Sequence, residues 1–310
     1  MINSCTVIIG STGFIGLNLL KKIRNKKNVY SISRNSFPDK KQNNHFKIDI
    51  ADKKSVTNFL SELKNKYNKI NLFFLAGESS VENSFKKSHT SINESIFSFL
   101  NIIESLKYSN STIIFVSSGS IYDSRKKSYF TETDKLFPPS PYAASKYACE
   151  GIAMSYYETF GMDIRIVRMF SVFGNNMKRF FIYDLIKKIS SSNGTVSLNG
   201  SGNQSRDFLH IDDVTQGLLL IMNRGAAGEV YNLSSGKAIK IKIIANKIKL
   251  ILKKNNLKII WDKNEINGIR DNWYGKNSKI KKLGFKINKS FDKSLKESVI
   301  KIYKNLNKEK

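Results

Sequence analysis

Cysteine and proline are scarce in this 310-residue chain, at two and four residues, and acidic side chains number 25 against 52 lysines and arginines. Two cysteines, Cys5 and Cys149, cannot build a disulfide framework or a zinc site by themselves. Both fall in segments that read as a buried strand and a helix, which suits a reducing cytosol, so a cytoplasmic protein without a metal is expected. Long apolar runs are also missing. The stretch Leu218 to Met222 is typical, far short of the roughly 18 residues that span a bilayer. The first sixteen residues lack a basic region ahead of their apolar positions, so no secretion signal is expected.

A hydrophobic share of 40%, with 20 Phe and 13 Tyr, excludes a disordered chain. The formal charge of +27 raises a nucleic-acid reading. The lysines are spread along the chain, densest from Lys237 to Lys310, and fit a solvated surface better than a binding stripe. A positive field of this kind favours an anionic ligand.

Short β-branched runs alternate with helical patterns over the first 170 residues or so. Thr6 to Ile9, Val29 to Ile32, Phe46 to Ile48, Ile70 to Leu75, Ile113 to Val116 and Ile164 to Val167 read as strands. Phe14 to Ile23, Ser55 to Lys64, Ser91 to Leu106 and Tyr142 to Phe160 read as helices. This predicts an α/β fold: a Rossmann-type doubly wound parallel sheet, with a smaller C-terminal α/β substrate lobe. Beyond Arg168 the rhythm loosens, with loop signals at Gly174 to Lys178 and Asn193 to Gly202, a strand–helix unit from Phe208 to Met222 and a strand at Val230 to Leu233. Ile241 to Leu252 carries a helical apolar stripe suited to packing on a domain. No repeat or low-complexity linker separates two beads, so the lobes are expected to share the chain. Residues 1–167 and 205–235 are assigned to dinucleotide binding, and 168–204 and 236–310 to the substrate lobe.

Gly10, Gly13 and Gly16 follow a strand and open a helix. The first glycine permits the tight turn, the absent side chains admit a pyrophosphate, and the helix amino terminus, with Phe14 and Ile15, supplies positive potential. The second strand ends in Ser33 and Arg34. An acidic residue there would bind a ribose hydroxyl, whereas arginine suits a 2′-phosphate, so NADP(H) is preferred and NAD(H) stays possible. After Pro138, Pro139 and Pro141, Tyr142 and Lys146 are spaced to share one helix face. An ammonium beside a phenol favours phenolate and makes tyrosine usable as an acid–base group. Ser118 ends a strand where ligands of open α/β sheets sit, placed to hydrogen-bond a substrate oxygen.

In this order, the glycine triplet, Ser118 and the Tyr142/Lys146 pair resemble the extended short-chain dehydrogenase/reductases, specifically the nucleotide-sugar epimerase, dehydratase and reductase family. Asp49-Ile50, Leu75-Ala76-Gly77, Asn93, the segment from Arg168 to Gly174, the segment from Arg206 to Asp213, Arg270-Asp271 and the segment from Lys282 to Phe285 extend the likeness over nearly the whole chain. The resemblance implies that Asp49 and Ile50 flank the adenine, that Leu75, Ala76, Gly77, Asn93 and Phe170 line the cofactor, and that Lys146 holds the nicotinamide ribose. It implies substrate contacts from Ser118, Ser120, Tyr142 and Ser171, and a diphosphate clamp from Arg206 and Arg270. His210 is expected to be structural. A homodimer through helices of the Rossmann lobe is also implied.

The sequence departs from the family in three places. Dehydratases carry an acidic pair after the Ser/Thr, where this chain has Gly119 and Ser120, which makes dehydration improbable. Reductive epimerases of the fucose type have a cysteine where Ser120 stands. Ser171 replaces an asparagine that many members use on the sugar nucleotide. The expected reaction is NADPH-dependent reduction of a nucleotide-linked 4-keto-6-deoxyhexose, serving bacterial surface polysaccharide. A nucleotide-hexose 4-epimerase of the UDP-glucose or UDP-GlcNAc type is the alternative. A non-catalytic dinucleotide- or RNA-binding protein is a third reading, disfavoured by the intact Tyr142 and Lys146.

Overall fold

Alternation of strand and helix carries through the chain in a computed structural model that describes residues 3–36, 44–78, 80–125, 128–262 and 272–308. β1 (Cys5–Ile9) passes through the glycine turn into α1 (Phe14–Ile23), and β2 (Val29–Ser33) and β3 (His45–Lys47) follow. Asp52 starts α2 (Lys53–Lys66) by accepting the N–H groups of Lys54 and Ser55, satisfying donors a helix start leaves open. Next come β4 (Ile70–Phe74), α3 (Val81–Lys86), α4 (Ser88–Leu106), β5 (Ser111–Ser118) and the two-residue β6 (Tyr129–Phe130). α5 (Pro141–Phe160) has proline in its first turn, the Ser140 hydroxyl accepting from the Ala143 N–H, and left-handed Gly161 at its end. β7 (Asp163–Met169) completes this half.

The seven-stranded sheet has the order β12-β7-β5-β4-β1-β2-β3, where β12 is Val230–Leu233, and its pairings are parallel. The chain winds outward from β1 on one side and from β4 on the other. A crevice therefore opens between these two strands at their carboxyl ends, the switch point at which such sheets take ligands. On one face Phe74, Phe99 and Phe115 pack with residues of α2, α4 and α5. On the other, Leu19 and Leu20 of α1 pack with Val214 and Leu218 of α7 (Ile211–Arg224).

Between β7 and β12 lie β8 (Ser171–Phe173), α6 (Phe181–Ser191), β9 (Thr195–Leu198), β10 (Ser205–Arg206), β11 (Phe208–His210) and α7. After β12 come β13 (Ile239–Lys240), α8 (Ile241–Ile251), β14 (Lys258–Trp261), β15 (Asn272–Gly275), α9 (Ser278–Lys282) and α10 (Phe291–Lys308). α6, α8 and α10 enclose a separate core containing Ile186, Ile244, Ile248 and Val299. The apolar stripe of α8 is thus spent on packing, as its spacing predicts. Small strands also bridge distant segments, in the order β13-β10-β15-β6. Elements this short carry no readable periodicity, and β9 likewise sits inside a stretch that reads as loop.

Candidate active site

Gly10 takes a φ of +83°, and a Cβ there would lie 2.8 Å from the Ala76 nitrogen. Only glycine lets the turn cross the end of β4 so closely. A Cβ at Gly16 would stand 2.3 Å from the Gly10 oxygen, so the second constraint is the seating of α1 against the turn. α1 begins at Gly13 without a side-chain cap, and its open N–H groups face a cleft of about 890 Å³. Gly10, Gly13, Phe14, Ile15 and Gly16 line this cleft, as do Ser33, Arg34, Asp49, Ile50, Leu75, Ala76 and Gly77. Ser91 and Ser117 line it as well, and both have buried hydroxyl oxygens that lack a hydrogen-bond partner. Unsatisfied buried hydroxyls beside a glycine cradle suit a polar ligand such as a dinucleotide. At one end the Arg34 guanidinium forms a 3.5 Å ion pair with Glu94 of α4.

At the other end Ser118, Tyr142 and Lys146 share the cleft with Ser120, Phe170, Ser171 and Trp273. The Ser118 hydroxyl accepts from the Ser120 N–H at 3.2 Å and from the Ser120 hydroxyl at 2.9 Å. Lys146 donates to the Val116 carbonyl at 3.3 Å. Helix α5 is held to β7 by a buried ion pair one turn beyond Lys146, Arg168 with Glu150 at 2.7 Å, and Arg168 also donates to the Tyr122 hydroxyl at 2.9 Å.

Burial pushes the Tyr142 phenol above its ordinary range, Ser118 opposes this by hydrogen bonding, and the Glu78 charge adds to it. Burial lowers Lys146, while Cys149 and Glu78 counteract. Desolvation is the largest of these effects on the phenol, and the Lys146 ammonium is not among them. Cys149 and Cys5 are buried thiols pushed up to about 11 and about 12 by desolvation.

Two of the described residues expected at the site do not line the cleft. Asn93 is not among the lining residues. Its amide faces the His89 ring one turn back, at 3.3 Å, because the inward face of α4 is formed by Ser91, Glu94, Ser95 and Ser98. Arg206 is likewise absent from the lining. It sits in β10, donates to the Ser205 carbonyl and lies 5.9 Å from the Trp273 ring, which itself faces the cleft. Arg270 lies outside the described residues. His210 caps α7 through Nδ1, which accepts the Asp212 N–H at 3.3 Å, in keeping with a structural role.

Sequence reasoning missed Glu78, Arg179, Phe180 and Trp273, all of which line the cleft. Glu78 directly follows the Leu75-Ala76-Gly77 match and could have been found there. Nothing local marked Arg179 or Trp273. Gly119 has a steric reason: a Cβ there would meet Trp273 at 2.7 Å and Phe170 at 2.8 Å.

The sequence profile of the NAD dependent epimerase/dehydratase family matches residues 6–234. A dTDP-glucose 4,6-dehydratase from Actinoplanes sp. is 35% identical over 112 residues, covering 34% of this chain and 33% of that protein. The match thus spans about a third of that relative's length. Among solved structures, the UDP-N-acetylglucosamine 4-epimerase from Methanobrevibacter ruminantium M1, in complex with UDP-N-acetylmuramic acid, superposes with a TM-score of 0.86 at 24% identity, covering 98% of this chain and 100% of that one. RMD from Pseudomonas aeruginosa, complexed with NADPH, gives 0.81 at 22%, covering 97% and 99%. At these identities the structures establish a common fold. Together with the profile match over most of the chain, they place this protein among the extended short-chain dehydrogenase/reductases, as an enzyme of the NAD-dependent epimerase/dehydratase family.

Proposed function

We propose that this enzyme reduces a nucleotide-linked 4-keto-6-deoxyhexose to the 4-hydroxy sugar, using NADPH. The observation that carries the reading is the convergence of Ser118, Tyr142 and Lys146 in one cleft with the glycine cradle, where Gly119 and Ser120 supply neither an acid nor a base for removing water. Gly10, Gly13 and Gly16 would hold the pyrophosphate, Arg34 the 2′-phosphate, and Lys146 the nicotinamide ribose. The bound cofactor supplies a hydride for the C4 carbonyl carbon. Tyr142 donates its proton to the carbonyl oxygen as the carbon–oxygen double bond becomes single, and Ser118 donates a hydrogen bond to that oxygen. Tyr142 then recovers a proton from solvent, leaving an alcohol. Arg179 and Ser171 are the polar candidates for the nucleotide-sugar end, in the lobe formed by residues 168–204 and 236–310.

A second reading, nucleotide-hexose 4-epimerase, uses the same three residues, and the fold shared with the Methanobrevibacter epimerase favours keeping it. Incubation with a panel of sugar nucleotides and their 4-keto derivatives decides. Net consumption of NADPH with a 4-hydroxy product by NMR supports reduction, and isomerisation without consumption supports epimerisation. Turnover of neither class sinks both. We also propose a cytoplasmic homodimer serving surface-polysaccharide synthesis. Phe97 of α4 and Tyr147 of α5 are 58% and 44% exposed on the faces this dimer would cover, and the mass in solution tests it. No helix among the described residues is long and apolar enough to cross a membrane.

A further inference from the structure

The end of β2 is clasped by a side chain from its neighbour. His45 opens β3 opposite Ser31, and its ring is engaged through both nitrogens. Nδ1 lies 3.0 Å from the Ser31 hydroxyl, and Nε2 lies 3.0 Å from the Asn35 carbonyl and 3.4 Å from the Ser33 hydroxyl. A carbonyl oxygen only accepts, so Nε2 carries the proton and Nδ1 of the neutral ring accepts from Ser31. Ser33 donates to the same Asn35 carbonyl at 2.6 Å, which therefore takes one donor from each strand. Arg34 stands between these two anchored residues, and Ser33, Arg34 and Asn35 line the cleft, whereas His45 is not among the lining residues. We propose that His45 is a positioning residue for the choice of cofactor: by holding the Asn35 carbonyl it aims Arg34 at the 2′-phosphate of NADPH. The proposal rests on the reading of Arg34 as the residue that meets this phosphate.

Main-chain bonds fix β2 as far as Ser33. The Ile32 carbonyl accepts the Gly10 N–H at 2.9 Å and the Ser11 N–H at 3.2 Å, and the Ser33 carbonyl accepts the Ile48 N–H at 3.1 Å. Two residues further on, the donors to the Asn35 carbonyl are side chains, those of Ser33 and His45. The Arg34 side chain is 65% exposed and meets Glu94 at 3.5 Å, a contact that holds it only weakly. Its direction is therefore set by the backbone on either side. An arginine fork aimed before the ligand arrives loses less conformational freedom on binding. Releasing the Asn35 carbonyl frees the backbone of Arg34 and Asn35, and that freedom must be given up again when a 2′-phosphate binds. NADH has no such phosphate, so it gains little from the clasp.

The test needs no sugar. Dissociation constants of the whole enzyme for NADPH and NADH are measured by titration calorimetry. His45→Ala should weaken NADPH by about three- to tenfold and NADH by less than about twofold. His45→Phe, which keeps a ring but loses the donor, should do the same and serves if the alanine variant does not fold. In an Arg34→Ala background the His45 substitution should move the ratio of the two constants by less than about twofold, because its effect runs through the guanidinium. An unchanged ratio in a folded variant overturns the proposal. Equal weakening of both dinucleotides, the mark of a merely structural residue, overturns it too, as does a full effect that persists without Arg34. Arg34→Ala alone separates the two levels. A ratio it does not move removes the 2′-phosphate reading and this proposal with it, whereas a ratio moved by Arg34→Ala but not by the His45 variants overturns this proposal alone.

Discussion

Adding a single methyl group at position 119 should destabilise the enzyme. A Cβ there would lie 2.7 Å from Trp273 and 2.8 Å from Phe170. The Phe170 ring has little room to retreat, because a Cβ at Gly275, on its other side, would already stand 2.4 Å from it, and the ring stacks on Tyr122 and packs against Trp273. Overpacking of this kind costs about 1–3 kcal/mol, so Gly119→Ala should melt roughly 2–10 °C below wild type by circular dichroism. Adding Phe170→Leu removes one of the two obstructions and leaves Trp273, and the double-mutant cycle should show a coupling of about 0.5–3 kcal/mol in the relieving direction. A Gly119→Ala protein that melts within about 1 °C of wild type refutes the reasoning. The argument that a carboxylate cannot stand at this position without displacing Phe170 and Trp273 then falls with it. If the argument holds, building an acidic pair by Gly119→Asp with Ser120→Glu creates no dehydratase, because a side chain at position 119 has no room beside Trp273 and Phe170.

Other outcomes follow from the same geometry. Tyr142→Phe should lower kcat by about 10²–10⁴-fold while NADPH binding, followed by nicotinamide fluorescence, stays within a few fold. Arg34→Asp should shift the ratio of NADPH to NADH affinity toward NADH by roughly tenfold or more, and an unchanged ratio removes Arg34 from 2′-phosphate recognition. Asp207 accepts the N–H groups of Ser235 at 2.7 Å and Gly236 at 3.0 Å, yet burial pushes its carboxyl up to about 6. The folded form therefore holds a proton that the unfolded chain has released, so stability should fall as pH rises from about 4 to about 6, by roughly 3 kcal/mol. Urea unfolding across this window should show that loss in wild type and its absence in Asp207→Asn.

The sheet and its first helices were legible because their signals are local and repeated. α1 and β12 fall on the residues that periodicity marks, and the glycine turn explains itself by spacing. The site was legible where chemistry sits at a strand end or on one helix turn, as with Ser118, Tyr142 and Lys146. Asn93 lies outside the lining for a geometric reason: it stands two positions before Ser95, about 200° around a helix, so it turns toward His89 while Ser95 faces the cleft. Arg206 is not among the lining residues, whereas Trp273 is, brought beside it by the pairing of β15 with β10. No local pattern encodes which of two segments 67 residues apart will reach the pocket first. The burial of Tyr142 is likewise a property of the assembled crevice rather than of a four-residue spacing.

Direction of hydride transfer depends on whether the cofactor leaves after each cycle, and the end of the cleft proposed for the adenosine bears on that. There the Arg34–Glu94 bridge links the end of β2 to α4 with side chains 65% and 51% exposed and 3.5 Å apart. An ion pair this exposed contributes about 0–1 kcal/mol, so parting it to admit or release a dinucleotide costs little. A 2′-phosphate would compete with the Glu94 carboxylate for the same guanidinium and replace a weak contact with a charge-assisted one. An enzyme that kept its cofactor through many turnovers would gain from a closed adenosine end. A bridge that opens at small cost, with an arginine available to the entering phosphate, fits a reductant that exchanges, and it weights the balance toward net reduction.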